Sequence, residues 1–335
     1  MPEKQEFHHK RAKLEDVIPL KAPYTLLIDP CGACNFKCNF CPCNHSDIDV
    51  NERHKIMSWE LFKKIVEDLK PFEGQIKVIT LAGFGEPLLN PFFPDMIRVL
   101  KENRCCREIR TVTNASLLDE KMSRAIIDAG IDLVRVSVEA LSAEGYQELC
   151  GVHMEFSEIL HNVETFYRLS RGTKSKITAK IVSESLSNDT DVKRFYDLFG
   201  PISDAHYIEN IETIWPEFGE MKLPQREPLQ VKSICYELDA KKTVCTYPFT
   251  DMYIRSNGLV TPCCADWKFD LAYGDVKKES LTDIWNSQKI RNLQCALLAG
   301  DLKEYPFCQA CSRKPADPIE DPQFLLAKLM AQASV

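Results

Sequence analysis

The sequence contains no apolar run close to the ~20 residues a membrane-spanning helix needs. The opening segment, MPEKQEFHHKRAKLED, has no apolar core of the kind a secretory signal carries. These two absences predict a cytoplasmic protein that touches no membrane. Basic excess is also missing, since 42 Lys and Arg against 49 Asp and Glu leave a formal charge of −7. Nucleic-acid binding ordinarily leaves a basic footprint, so no nucleic acid is expected, although a few Arg and Lys suffice for a small anionic substrate. Internal repeats and low-complexity tracts are absent. What remains is 44% hydrophobic and 27% charged, the balance of a globular chain. At 335 residues it is long enough for a core that needs no disulfides.

Cysteine, by contrast, is abundant, with 15 residues, an odd count. Disulfides are rare in reducing compartments, so clustered cysteines there suggest metal or redox chemistry. Five lie between Cys31 and Cys43, and Cys245, Cys263, Cys308 and Cys311 form a second set.

Strand and helix patterns alternate over 24–211. Strands are predicted at 24–29, 75–83, 108–114, 131–140, 176–184 and 204–211. Helices are predicted at 58–70 with Ser58 as N-cap, near 92–102, at 119–130 closing on Gly130, at 142–149 and 155–170, and near 189–199. Repeated βα units imply a parallel sheet. Six units over about 190 residues fall short of a closed eight-unit barrel, so the expected fold is α/β, a partial TIM-like barrel with its chemistry at the strand C-terminal ends. The predicted organisation is a flexible arm (1–22), the barrel (23–214), a proline-rich linker (215–243), a small C-terminal domain (244–315) and a tail (316–335). In that small domain, 249–263 reads as a hairpin turning at Asn257-Gly258. Residues 281–300 read as one helix ending at Gly300.

Cys34, Cys38 and Cys41 form C-x3-C-x2-C in the loop after the first strand. Three such thiolates can hold three irons of a [4Fe–4S] cluster and leave the fourth open, or they can bind zinc. Cys245, Cys263, Cys308 and Cys311, spaced C-x17-C-x44-C-x2-C, can ligate a metal completely, with Cys264 able to take the place of Cys263 and zinc again the alternative.

The first motif, with Phe40 before its last cysteine and Gly83-Phe84-Gly85-Glu86-Pro87 ending the second strand, resembles the radical S-adenosylmethionine (SAM) superfamily. That resemblance implies a cluster on Cys34, Cys38 and Cys41 whose open iron chelates SAM. It also implies SAM contacts from Phe40, Gly83, Phe84, Gly85 and Glu86, and from Thr113, Asn114, Ser137 and Glu139 at later strand ends. Ser137 and Glu139 lie two apart and share a strand face. Lys180, Glu184 and Glu209 are candidates for the barrel mouth. Cys150-Gly151 stands where related enzymes often carry Arg-Gly, which leaves Arg135, Lys180 or Arg194 to meet the SAM carboxylate. Cys31 and Cys43 fall outside the motif and are expected to be bystanders.

The second set lies among Tyr-Pro-Phe after Cys245, a Gly-Leu-Val-Thr-Pro run before Cys263-Cys264, and Leu-Thr-Asp-Ile-Trp. It resembles the SPASM/twitch extension, here with one auxiliary [4Fe–4S] cluster, and is similar to twitch-type aminocyclitol dehydrogenases. The resemblance implies a 5′-deoxyadenosyl radical that takes hydrogen from a secondary alcohol of a sugar or cyclitol. The auxiliary cluster would serve as electron acceptor, and a flavodoxin- or ferredoxin-type protein as reductant. Two alternatives stand beside it. A sugar epimerase would use Cys235 or Cys264 as hydrogen donor. A ribosomal-peptide-modifying enzyme is the other, against which the short stretch before the first strand counts.

Overall fold

The alternation of half-buried and buried residues along the strands produces a sheet with two unlike faces. The computed structural model describes residues 12–44, 55–210, 244–311 and 319–333. In chain order these form α1 (Leu14–Val17), β1 (Thr25–Ile28), α2 (Trp59–Asp68), β2 (Val78–Leu81), α3 (Phe93–Glu102), β3 (Glu108–Thr113), α4 (Glu120–Ala129), β4 (Leu133–Val138), α5 (Ala143–Cys150), α6 (Phe156–Ser170), β5 (Lys176–Val182), α7 (Asp189–Phe199) and β6 (Ala205–Glu209). They continue with α8 (Tyr247–Thr250), β7 (Asp251–Ile254), β8 (Leu259–Thr261), β9 (Gly274–Asp275), α9 (Leu281–Trp285), α10 (Gln288–Ala299), α11 (Pro306–Ala310) and α12 (Pro322–Ala333).

The sheet runs β6-β5-β4-β3-β2-β1-β7-β8-β9. Every neighbour from β6 to β7 is parallel, and β7-β8-β9 is antiparallel. This is the expected α/β fold, an open six-strand βα array with a C-terminal extension. Ile28, Ile79, Ile109, Val134, Val136, Val138, Ile177 and Ile181 are fully buried under the helical layer. The opposite, concave face carries Thr80, Arg110, Arg135, Ser137, Thr178, Lys180 and Tyr207, all half-buried.

Local signals set the helix ends. Ser58 accepts from the Leu61 amide (3.2 Å) and Asp119 from the Met122 amide (2.7 Å), each satisfying an orphan donor of the first turn. Gly130 ends α4 at φ +94°, a conformation that favours glycine.

Three expectations are corrected. Residues 12–22 are no flexible arm: Ile18 and Ala22 are buried, and the Glu15 carboxylate accepts the amides of Glu320 and Asp321. Nor are residues 322–333 a loose tail, because Leu325 and Leu329, one helical turn apart, are fully buried and α12 packs on α10 and α1. The stretch 281–300 is two helices, since the Ser287 side chain accepts the Ile290 amide and caps a new helix that starts at Gln288. The linker 215–243, with Cys235, lies outside the described residues.

The cysteine loop between β1 and α2 is closed at its base. Met57 N–H donates to Pro30 O (2.9 Å) and Gly32 N–H to Lys55 O (2.9 Å). The fully buried Asn90 side chain completes the closure, donating to Pro30 O (2.8 Å) and Met57 O (3.1 Å) and accepting from Phe92 N–H (2.9 Å). Asn90→Ala leaves these groups unpaired in a dry site. It is expected to lower stability by about 2 kcal/mol, read as a lower urea midpoint at unchanged slope.

Candidate functional site

The loop that carries Cys34, Cys38 and Cys41 rests on the C-terminal end of α5. Lys37 N–H donates to Cys150 O (2.8 Å), Asn39 N–H to Leu149 O (2.8 Å), and the Asn39 amide to Glu148 O (2.7 Å). These are the carbonyls a helix leaves unpaired in its last turn, so the loop caps the helix while the helix shapes the loop. Phe36 meets Tyr146 of α5 edge-on, ring centres 5.9 Å apart.

The Gly83–Pro87 turn packs under the same loop. A Cβ at Gly85 would lie 2.2 Å from the carbonyl oxygens of both Cys31 and Ala33, and one at Gly83 would lie 2.0 Å from the Asp29 carboxyl carbon. Only glycine permits that approach. Glu86 is buried and already engaged. Its carboxylate accepts from the Thr113 hydroxyl (2.7 Å), the Asn114 amide N–H (2.8 Å) and the Leu88 amide N–H (3.1 Å). It straps the turn to the end of β3, which leaves the backbone of the turn, rather than this carboxylate, as the freer acceptor for a cofactor ammonium. Asn114 reaches back to the loop, donating to Asn35 Oδ1 (3.0 Å) with its nitrogen 4.0 Å from the Cys34 sulfur.

Burial pushes the Cys34 thiol up to about 12. Cys38 is also raised, by a hydrogen bond with Cys150 and by burial. Cys41 is lowered by hydrogen bonds from Cys43, against its burial. Cys41 acts electrostatically on both Cys34 and Cys38. Buried thiols stay protonated unless a cation takes them as thiolates. Among the described residues no three His, Cys, Asp or Glu side chains converge on one metal ion. Phe40, beside Cys41, is half-buried.

Glu139, just past β4, acts on Cys38 and Cys41 and anchors a charged group across the concave face. Lys180 pairs with Glu209 at 2.8 Å. Burial opposes the Lys180 charge, but Glu139 and Glu209 outweigh it and hold its ammonium above the ordinary value. Burial pushes the Glu139 carboxyl up, Lys180 draws it back, and Glu209 adds to the rise. Glu139 Oε2 and Arg135 Nε are buried with no hydrogen-bond partner, two polar atoms that a polar ligand could satisfy. Ser137 stands beside Lys180 in register. Arg194, by contrast, sits on the outer helix α7 over the Phe156 ring, away from this group.

In the C-terminal set, Cys263 is raised by burial and by Cys264, Cys245 and Asp266. Cys308 is pushed up to about 12 by burial, with contributions from Cys311 and Asp266. Asp266 thus faces both halves of the set, which brings together residues 63 positions apart along the chain (Cys245 and Cys308). Cys264 lies beside Cys263 and Tyr253. Cys43, expected to be a bystander, has its sulfur 2.8 Å from the Phe84 carbonyl oxygen and hydrogen-bonds to Cys41.

Burial raises Glu86 from its ordinary 4.5 to about 7, against the hydrogen bonds it accepts. A carboxyl raised on folding contributes stability that is full below 4.5 and lost as pH rises through about 7. Glu86→Gln is expected to flatten that fall while lowering stability by about 1–3 kcal/mol, because its amide NH₂ faces donors. Urea midpoints of both proteins across this pH range check it.

Residues 28–182 match the family model of the radical SAM superfamily, and residues 245–312 match that of SPASM, an iron–sulfur cluster-binding domain. A Pyrococcus furiosus protein, the tungsten-containing aldehyde ferredoxin oxidoreductase cofactor-modifying protein, is 26% identical over 329 residues, covering 87% of this chain and 88% of its own. The crystal structure of BtrN in complex with AdoMet and 2-DOIA superposes with a TM-score of 0.59 at 18% identity, over 90% of this chain and 97% of BtrN. Native anSMEcpe with bound AdoMet and the Cp18Cys peptide gives 0.61 at 17%, over 93% and 99%. No helix among the described residues is long and apolar enough to cross a membrane. Because the two family matches fall on the two cysteine sets, one at the barrel mouth and one in the extension, the chain belongs to the radical SAM superfamily, carries a SPASM domain and uses S-adenosylmethionine and iron–sulfur clusters as cofactors.

Proposed function

We propose that this radical SAM enzyme is an oxidoreductase that removes hydrogen from a secondary alcohol of a sugar or cyclitol. When bound, the cofactors supply a 5′-deoxyadenosyl radical at the barrel mouth and an electron acceptor in the extension. In this reading Cys34, Cys38 and Cys41 hold the first cluster, and Cys245, Cys263, Cys308 and Cys311 hold the second. The observation that carries the substrate class is the charged group of Arg135, Glu139, Lys180 and Glu209 on the concave face, with Glu139 Oε2 and Arg135 Nε unpartnered. A polyhydroxylated small molecule offers donors and acceptors to both. Thr80, Ser137, Thr178 and Tyr207 extend the polar lining on that face. Phe40 supplies an apolar surface for an adenine, and the Gly83–Pro87 backbone accepts an ammonium.

BtrN, a structural neighbour, is solved with a small molecule, 2-DOIA, which supports this reading. The peptide bound to anSMEcpe supports the rival that a peptide is the substrate. In the epimerase rival, Cys264 returns the hydrogen; it lies beside Cys263, in the second cysteine set. The other candidate donor, Cys235, lies outside the described residues.

Anaerobically reconstituted protein is expected to hold about eight irons, the sum of two four-iron clusters. Replacing Cys34, Cys38 and Cys41 by Ala removes about four of them and abolishes SAM cleavage. Replacing Cys308 and Cys311 removes the others. Stoichiometric zinc in place of iron defeats both assignments.

With a sugar or cyclitol deuterated at the carbinol carbon, 5′-deoxyadenosine is expected to gain the deuterium and the product to be lighter by two hydrogens, as mass spectrometry reads it. With unlabelled substrate, a product of unchanged mass in ordinary water that gains one deuterium in D₂O, together with loss of product in Cys264→Ala or Cys235→Ala while 5′-deoxyadenosine still forms, assigns epimerisation instead.

A further inference from the structure

Arg255 follows β7 and is 1% exposed, an unusual burial for a guanidinium. Its backbone closes the β7–β8 turn, donating to Leu259 O and accepting from Gly258 N–H, both at 2.8 Å. Its side chain runs inward between the two cysteine sets. Nε donates to the Thr261 hydroxyl (3.0 Å), and Nη2 donates to the Cys263 carbonyl (2.8 Å). On the other side the guanidinium lies 4.6 Å from the Phe84 ring centre and 5.2 Å from that of Phe269. Phe84 belongs to the turn that packs under the first cysteine loop. It also joins Ala265, Trp267, Phe307, Cys263 and Leu271 in one apolar cluster. Asp29, at the end of β1, and Asp266, in the extension, are both buried and both feel the Arg255 charge.

A buried ion is costly unless each of its donors and its charge find partners. Arg255 has them: a hydroxyl, a carbonyl, two aromatic faces and two carboxylates. They come from the barrel (Asp29, Phe84) and from the extension (Thr261, Cys263, Asp266, Phe269). A cation fixed against the backbone of a thiolate ligand stabilises added negative charge there, and net charge and hydrogen bonding are the levers that set cluster potentials.

We propose that Arg255 is a positioning residue for the auxiliary cluster, holding the Cys263 carbonyl and the Phe84 ring in one frame and raising the reduction potential of the cluster bound at Cys263. The inference rests on the ligand assignment to Cys263 and is independent of the substrate. Loss of about four irons in Cys263→Ala, with Cys264→Ala keeping them, secures that assignment separately.

The experiment is an EPR-monitored redox titration of the reconstituted full-length protein, with SAM added to mark the open cluster. Arg255→Gln is expected to keep its iron and to shift the auxiliary reduction equilibrium at least tenfold toward the oxidised form, about 59 mV more negative for one electron. Arg255→Lys, which keeps the charge and loses the fork, is expected to recover most of that shift. Thr261→Val removes only the hydroxyl that orients the guanidinium, and is expected to give a smaller shift of the same sign. An unchanged auxiliary potential in an iron-replete Arg255→Gln overturns the proposal. If Arg255→Gln does not fold, an unchanged potential in Thr261→Val overturns it equally.

Discussion

Strand β1 is hydrogen-bonded on both edges, with Thr25–Ile28 in register with Val78–Leu81 on one side and Asp251–Ile254 on the other. Both partners are parallel to it, so the C-terminal ends of β2, β1 and β7 emerge side by side. From those ends come the Gly83–Pro87 turn, the cysteine loop and the Arg255 turn. Satisfying the backbone of a four-residue strand on both edges therefore brings the Arg255 turn of the extension to the end of the sheet that carries the first cysteine loop. The later contacts refine that placement. Asn90 closes the base of the loop, the end of α5 carries its tip, and Glu86 fastens the turn to β3.

The site is built almost entirely from groups that serve each other. Glu86, Thr113 and Asn114 are occupied with backbone and neighbouring side chains, which fixes their orientation and leaves few of their donors and acceptors spare. Glu139 Oε2 and Arg135 Nε are buried and without a hydrogen-bond partner among the described residues. They flank the Lys180–Glu209 pair, at the end of the sheet where the strands end and the cysteine loop begins. A strongly polar lining on one face and continuous aliphatic packing on the other is the division a barrel needs if its interior is to receive a polar molecule while its outer face holds the helices.

The extension is coupled to the barrel by more than chain connectivity. The Trp285 indole donates to Leu20 O (2.9 Å), and Asp68 of α2 accepts the Leu281 amide (3.3 Å). Arg255 and the Phe84 cluster then complete the contact at the chemical end. Hydrogen bonds along the outside and a buried cation inside hold the extension against the barrel.

Six strands, their helices and both cysteine sets were legible in the sequence, because each is written in local signals. The strand patterns gave β1 to β6, Ser58 gave a helix start, Gly130 gave a stop, and the cysteine spacings gave two candidate sites. The chain by itself also fixed glycine at 83 and 85, although the reason, carbonyls and a carboxylate 2.0–2.2 Å from a Cβ, exists only in space. What only the tertiary structure decided is everything that depends on partners distant in sequence. The pairing of β7 with β1, the docking of residues 12–22 against α12, the engagement of Glu86 with β3 and the place of Arg255 between the two cysteine sets are all of this kind. Arg255 reads in sequence as one more surface charge at a hairpin turn. Its burial follows from the other six groups that surround it, and no pattern within a window of neighbouring residues encodes their convergence.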